Sequence, residues 1–399
     1  MKYIENSVEE RRSMNDVEKY LEENHQDLND EDVSRIISDV SDMKLKLRLL
    51  EEYRERITID CFRNVLDKYN YDYKVKVLNI FMNDVYPRQI NHIDTTPVGF
   101  PSEFTMGIEI EFLGRGCILL DELDFNQLGK KLGLSDEKTN EIVSDWDDRL
   151  DYSMHSSRIG LEYVSPILKD DEKGWQNIDD FCSFLQNIGC ETTPTCGGHI
   201  HIGADILGYD NKAWENFFRI WIAAEPIIYK MSNAPGDVVR PMALKYSKKA
   251  SGKLQAVLDK GSINVRNAKD LWCIGEEWKG IEKRRNSVNL GNLGKNQEKD
   301  YEENINTIEF RLPNGTLEPK TIKENILLYG TILTTSVEMA KNPEHKKQDY
   351  NTLLNTKMSE RERAKVLMDL LFDDEYLKQI YMERFYSVEN EKIYEDFER

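Results

Sequence analysis

Two periodicities divide this chain. Up to about residue 90, apolar positions recur every three or four residues. Val33, Ile36, Ile37 and Val40 form one helical stripe, and VKVLNIFMNDVY carries another. Pro87 stops the pattern, and DTTPVGFPSEF (residues 94–104), with two prolines and a glycine, reads as a boundary loop. From Thr105 the pattern shortens to strict alternation, the signature of half-buried strands. Helical stretches at residues 121–145, 174–188 and 211–232 separate the strands. The last sets Trp214, Phe217, Phe218, Trp221 and Ile222 on one stripe, which predicts core packing, and Pro226 is expected to kink or end it. Helix returns after Pro319. The expected organisation is a helical N-terminal region (1–95), a mixed α/β centre (96–344) and a charged, helical C-terminal tail (345–399).

Side chains of a strand alternate between its two faces. In MGIEIEF, Met106, Ile108, Ile110 and Phe112 share one face, and Gly107, Glu109 and Glu111 the other. HIHI opposes Ile200 and Ile202 to His199 and His201. NTIEFRL opposes Ile308, Phe310 and Leu312 to Thr307, Glu309 and Arg311. RRNSVNL opposes Val288 and Leu290 to Arg285, Ser287 and Asn289, and GLEYVSP sets Glu162 against Leu161 and Tyr163.

A solvated antiparallel sheet also alternates, but with mixed Thr, Lys, Ser and Glu outside. Here the polar faces carry paired Glu or paired His. Taken singly, Glu-x-Glu suits a solvated face and HIH suits a buried strand with satisfied histidines. Side by side, the strands would gather like charges, which is unfavourable without a compensating cation. Alternate residues lie about 6.6 Å apart, so Glu109 and Glu111 are spaced to serve two metal ions. Carboxylates with one imidazole suit Mg²⁺ or Mn²⁺ better than Zn²⁺. Arg311 and Arg285 supply positive charge for an anionic substrate. The recurrence of this polarity on strand after strand favours a metal–phosphate site.

Composition narrows the partners. The 399 residues hold 73 Asp+Glu against 54 Lys+Arg, a net charge of −19 that repels a nucleic-acid backbone. Mean hydropathy is −0.63, and no apolar run reaches the roughly 20 residues that span a bilayer, so neither nucleic acid nor membrane is expected as a partner. The N-terminus lacks the apolar stretch of a secretory signal, and six cysteines without a CxxC pair read as reduced thiols, which together predict a cytoplasmic protein. The sequence contains no HExxH, no GxxxxGK[ST] and no GxGxxG, and HIHIGAD lacks an HxHxD spacing. Any bound nucleotide would therefore be held by metals and arginines on a sheet.

In order along the chain, GIEIEF, WDDRLDYS, GLEYVSPIL, CGGHIHIG, RRNSVNL and TIEFRLPNGTL resemble the amidoligase family of the carboxylate–amine ligase superfamily, which includes glutamine synthetase and glutamate–cysteine ligase. The resemblance covers about residues 104–341. It implies an α+β fold in which a curved antiparallel sheet forms a glutamine synthetase-like funnel, flanked by helices, for ATP, divalent ions and an acceptor carboxylate. By that resemblance Glu109, Glu111, Glu162, His199 and Glu309 are metal ligands. His201, Asn289, Arg285 and Arg311 face the nucleotide, and Arg311, Arg285 and Arg240 act on the transferring phosphoryl group. Asp151 and Ser153 match a D-x-S element, although Asp151 reads equally as a turn residue. Cys196 reads as small-residue packing.

The implied reaction is ATP-dependent amide or isopeptide formation through an acyl phosphate, with Mg²⁺ or Mn²⁺. Its substrates are a small-molecule or peptide carboxylate and an amine. Two other readings stay open on the residues alone: a phosphotransferase acting on a nitrogen acceptor, and a non-catalytic metal–nucleotide sensor. Loops 232–275 and 293–306 are expected to set acceptor choice. The N-terminal region is a candidate surface for a protein partner.

Overall fold

The computed structural model describes residues 14–24, 26–67, 71–149, 160–193, 196–233, 247–261, 263–276, 278, 285–294, 306–355 and 357–389. The N-terminal region is helical, as its periodicity predicts, but in short pieces: α1 (Met14–Asn24), α2 (Asp30–Ser38), α3 (Met43–Glu52), α4 (Ile59–Asp67) and α5 (Tyr71–Phe81). Asn29 and Asp42 cap α2 and α3 through their side chains. Val33, Ile37, Leu49, Phe62 and Phe81 are fully buried between these helices, so amphipathic stripes too short to be stable alone close on one another.

The sheet begins at β1 (Thr105–Gly114), followed by α6 (Arg115–Glu122), α7 (Phe125–Lys131), α8 (Asp136–Val143), β2 (Asp147–Arg149), β3 (Gly160–Val164), β4 (Leu168–Lys169) and α9 (Glu172–Asn187). Then come β5 (Cys190–Glu191), β6 (Gly198–Gly203), α10 (Asn211–Met231), α11 (Ser251–Asp259), α12 (Ala268–Glu276), β7 (Val288–Asn289) and β8 (Thr307–Phe310). Helices α13 (Pro319–Lys341), α14 (Lys347–Leu353), α15 (Glu360–Leu371) and α16 (Glu375–Glu389) finish the chain. The architecture is α+β. Among the described residues the named strands pair antiparallel, in the order β2–β3–β1–β6–β8–β7, with β4 and β5 also on β1. Among the described residues the sheet does not close into a barrel.

The even-numbered face of β1 is the core face. Ile108, Ile110 and Phe112 are buried, as are Ile200, Ile202, Ile308 and Phe310 on the strands beside it. Helices cover this face. Phe310 stacks on Tyr329 of α13, with centroids 4.4 Å apart, and meets Trp221 of α10 at 5.4 Å. Tyr163 packs against Phe181 of α9 at 5.5 Å. The aromatic stripe of α10 is therefore packing.

Several local expectations need correction. The stretch 121–145 is not one helix, because Gly133 takes φ +79 and divides α7 from α8. Pro226 does not end its helix: α10 runs through to Met231, held along its buried face and by Asn216 Nδ2 donating to Ser336 O at 3.1 Å. Segment 232–275 carries α11 and most of α12 rather than an open loop.

The flanking regions are anchored to the sheet domain. Arg115 bonds Asp84, Tyr86 N donates to Asn187 O, and Asp170 accepts from the backbone N–H of Val98, Gly99 and Phe100. At the other end Arg384, 1 % exposed, donates to Met231 O at the C-terminus of α10 and to Asn325 Oδ1, and pairs with Glu324. Among the described residues no helix is long and apolar enough to cross a membrane. The six cysteines are free thiols, and only Cys273 is exposed.

Candidate functional site

Register decides which polar side chains meet. Glu109 is the cross-strand partner of His199, and His201 that of Glu309, whose other neighbour is Asn289. These are two adjacent rows on the odd-numbered face. Gly107, opposite His201, has no side chain, and His201 leans diagonally to Glu109.

The result is a compact cluster. His199 Nδ1 lies 2.8 Å from Glu109 Oε2, and His201 Nε2 lies 3.0 Å from Glu109 Oε1. Glu309 Oε1 is 3.7 Å from His199 Nδ1 and is also bonded by Arg311 Nη1. Asn289 Nδ2 donates to Glu309 Oε2 at 2.6 Å, and its own Oδ1 accepts from Gly291 N at 2.9 Å, which fixes the amide. Thr307 Oγ1 sits 3.2 Å from His201 Nδ1. One donor atom each from Glu109, His199 and Glu309 lie within 4.8 Å of one another.

The charges of the cluster are balanced within it. Burial pushes the Glu109 and Glu309 carboxyls up, but the facing imidazoles and Arg311 outweigh it and hold both below the usual range. Burial pushes His201 down, and Glu109 more than restores it, so its imidazole stays protonated above the ordinary value. Arg311 is held charged by Glu309 against its own burial. A proton on His201 and the guanidinium thus do the neutralising that a divalent ion would do. Two carboxylates and an imidazole at this spacing fit a hard divalent cation.

The remaining sequence-predicted residues lie at different distances from this centre. Glu111 is 5 % exposed and one row along β1, where its Oε2 accepts from Gly197 N at 2.5 Å. Glu162 is its cross-strand partner on β3. Neither belongs to the triad that lies within 4.8 Å. Alternation does not extend back to Arg285, because β7 is only two residues long and Ser287 already turns to the helix side, bonding Glu225 and Trp221 of α10. Arg240, Asp151 and Ser153, with most of loop 293–306, lie outside the described residues.

The glycines of CGGHIHIG have a steric role. A Cβ on Gly198 would stand 2.8 Å from Asn314 O, and one on Gly315 would stand 2.6 Å from Cys196 Cβ. The start of β6 therefore abuts the 313–315 turn, and Cys196 is packing, fully buried. The sequence does not mark Thr307 or the Gly197 N–H: Thr307, on the polar face, is an ordinary strand residue, and a backbone donor leaves no side-chain signal.

The chain matches a family model described as "Putative amidoligase enzyme" over residues 102–333, from just before β1 into α13. That span contains the entire cluster. No curated protein matches the chain.

Proposed function

This chain belongs to the amidoligase family, enzymes of the amide-forming ligase type, and on that footing we propose that it is an ATP-dependent carboxylate–amine ligase. The observation that carries the reading is the convergence of Glu109, His199 and Glu309 within 4.8 Å, with Arg311 bonded to Glu309. The antiparallel sheet serves, in this reading, as a glutamine synthetase-like funnel, and residues 96–344 as the catalytic domain of a cytoplasmic enzyme.

Glu109, His199 and Glu309 would hold Mg²⁺ or Mn²⁺, with Glu111 and Glu162 ligands to a further ion. Such ions supply charge stabilisation to transferring phosphates. The chain's own residues do the rest. Arg311 offers its guanidinium to the γ-phosphoryl group as it passes to the acceptor carboxylate, giving an acyl phosphate, and Arg285 and Arg240 serve the same group. Asn289 and the Arg311–Glu309 bond keep the Glu309 carboxylate from rotating, so that it need not reorganise on binding. His201 faces the nucleotide phosphates beside Glu109. The amine then attacks the acyl phosphate, phosphate leaves, and the lost amine proton passes to solvent or a nearby carboxylate.

Incubation with Mg²⁺·ATP and pools of carboxylates and amines tests the reading by mass spectrometry. ADP release matched by an amide product supports it. ADP release with a phosphorylated amine, or nucleotide binding with no turnover on any pool, contradicts it and favours a phosphotransferase or a sensor.

A further inference from the structure

A cleft of about 1160 Å³ opens where the N-terminal helices meet the end of β1. One wall comes from α2, residues 54–61 and residues 84–88, all outside the span of the family match. The other wall comes from Leu113, Gly114 and Arg115 with Gly189, Glu191 and Thr193. Gly114, at φ +113, makes the close approach of the two segments possible: a Cβ there would stand 2.9 Å from Gly189 O.

Leu113, which lines the cleft, continues the Glu109–Glu111 side of β1. Glu109, Glu111 and Leu113 are successive same-side positions of β1, so the cleft begins about 7 Å beyond Glu111 and about 13 Å beyond Glu109. That span equals roughly four extended residues.

The half-buried surface of the cleft is cationic. Asp84 is shared by two guanidinium groups: Arg115 Nη1 donates to it at 3.1 Å, while Arg54 Nε lies 3.0 Å away without the alignment of a hydrogen bond. Arg88 beside them bonds only carbonyls, of Gln186 and Asp84. Two guanidinium groups therefore share one carboxylate, in side chains 19–33 % exposed, and the third, of Arg88, has no carboxylate partner among the described residues. The exposed rim is anionic. Asp39, Glu55, Asp60 and Glu191 line it, and none pairs with a cation among the described residues.

We propose that this cleft binds a peptide substrate of the ligase, its free C-terminal carboxylate on the Arg54–Arg88–Arg115 group and its cationic groups on the rim. The inference rests on the ligase reading and names the substrate class for it. Pockets for single small molecules run to about 1,000 Å³, so this volume suits several residues rather than one free amino acid. The opposed charges of wall and rim select a ligand carrying both signs, and that side of β1 leads its reacting group toward Glu111. The N-terminal helices are then a substrate-binding wall.

Saturation-transfer NMR on the full-length protein tests this without turnover. The probes are a mixture of tri- to pentapeptides built from Gly, Ala, Glu and Lys, the same peptides C-terminally amidated, and the same amino acids free. Expected are saturable signals from peptides with free carboxylates, weakened about tenfold by amidation and by Arg88→Gln. The surface variant Glu191→Gln, which removes a charge but no packing, should weaken lysine-containing peptides selectively. No peptide signal, equal signals from free amino acids, or affinities unchanged in both variants would overturn the proposal. Peptide binding without any Mg²⁺·ATP binding would instead refute the ligase reading and leave the cleft standing. Mg²⁺·ATP binding without peptide binding would do the reverse.

Discussion

Glu109 and His199 are direct cross-strand partners on β1 and β6, with the imidazole Nδ1 2.8 Å from the carboxylate Oε2. Ninety residues apart in sequence, they meet because the register of two strands aligns them. Glu309 joins from a third strand, and the consequences for binding and stability follow from this convergence.

Glu309→Ala removes one donor and leaves Arg311, its side chain 18 % exposed, without its carboxylate. Breaking a buried ion pair from one side costs on the order of 3 kcal/mol. Urea denaturation should show that loss, and added Mg²⁺ should not restore it. Glu309→Gln keeps the shape but turns one acceptor into a donor that faces either Arg311 Nη1 or Asn289 Nδ2, so it too should lose stability, and it should abolish the metal response equally.

Divalent cation should stabilise the wild-type fold. An ion at about 100 times its dissociation constant adds about 2.7 kcal/mol if it binds only the folded state. Differential scanning fluorimetry with Mg²⁺ or Mn²⁺ against EDTA reads this directly. A melting temperature indifferent to both ions would contradict the site.

Without metal, the cluster should also make stability depend on pH in a defined direction. The Glu109 carboxyl is held below its ordinary value of 4.5, so its contribution is present above 4.5 and is lost as pH falls through the lowered value. His201 is held above its ordinary value of 6.5, so its contribution is complete below 6.5 and is lost as pH rises through the raised value. Chemical denaturation of metal-free protein should therefore show the site's contribution falling on both sides of the 4.5–6.5 window. His201→Gln should flatten the alkaline limb and also shrink the acid limb, because the His201 imidazole is the strongest influence holding the Glu109 carboxyl down.

The strand faces were legible because period two leaves few choices: once β1 has Ile108 and Ile110 inside, Glu109 and Glu111 must share the other side. Which carboxylate faces which imidazole was not legible. A register shift of two residues keeps every face and would pair His199 with Glu111 instead. The two-residue strands β4, β5 and β7 are too short to show alternation, so the turn of Ser287 toward Glu225 could not be seen. Pro226 does not end α10 because burial outweighs the lost backbone bond: Trp221 of the helix packs on Phe310 and Tyr329. The arginines of the cleft come from a 3₁₀ turn (Arg54), a loop (Arg88) and the first residue of α6 (Arg115), where single residues carry no pattern.

Gly198→Ala should test how tightly the site depends on that packing. The nearest obstacle to the new methyl is a backbone oxygen, Asn314 O at 2.8 Å, which moves only with the turn that carries it. A cost of about 1–3 kcal/mol is expected, together with weaker metal binding because His199 follows in the same strand. Thermal melts with and without Mg²⁺ separate the two effects.

Calorimetric titration of ATP into the purified protein, with Mg²⁺, without metal, and with Glu309→Ala, addresses the central claim most directly. Saturable binding is expected only when metal is present, and is lost in the variant. Binding of equal strength without metal, or binding unaffected by the substitution, would contradict a nucleotide held through the Glu109–His199–Glu309 centre.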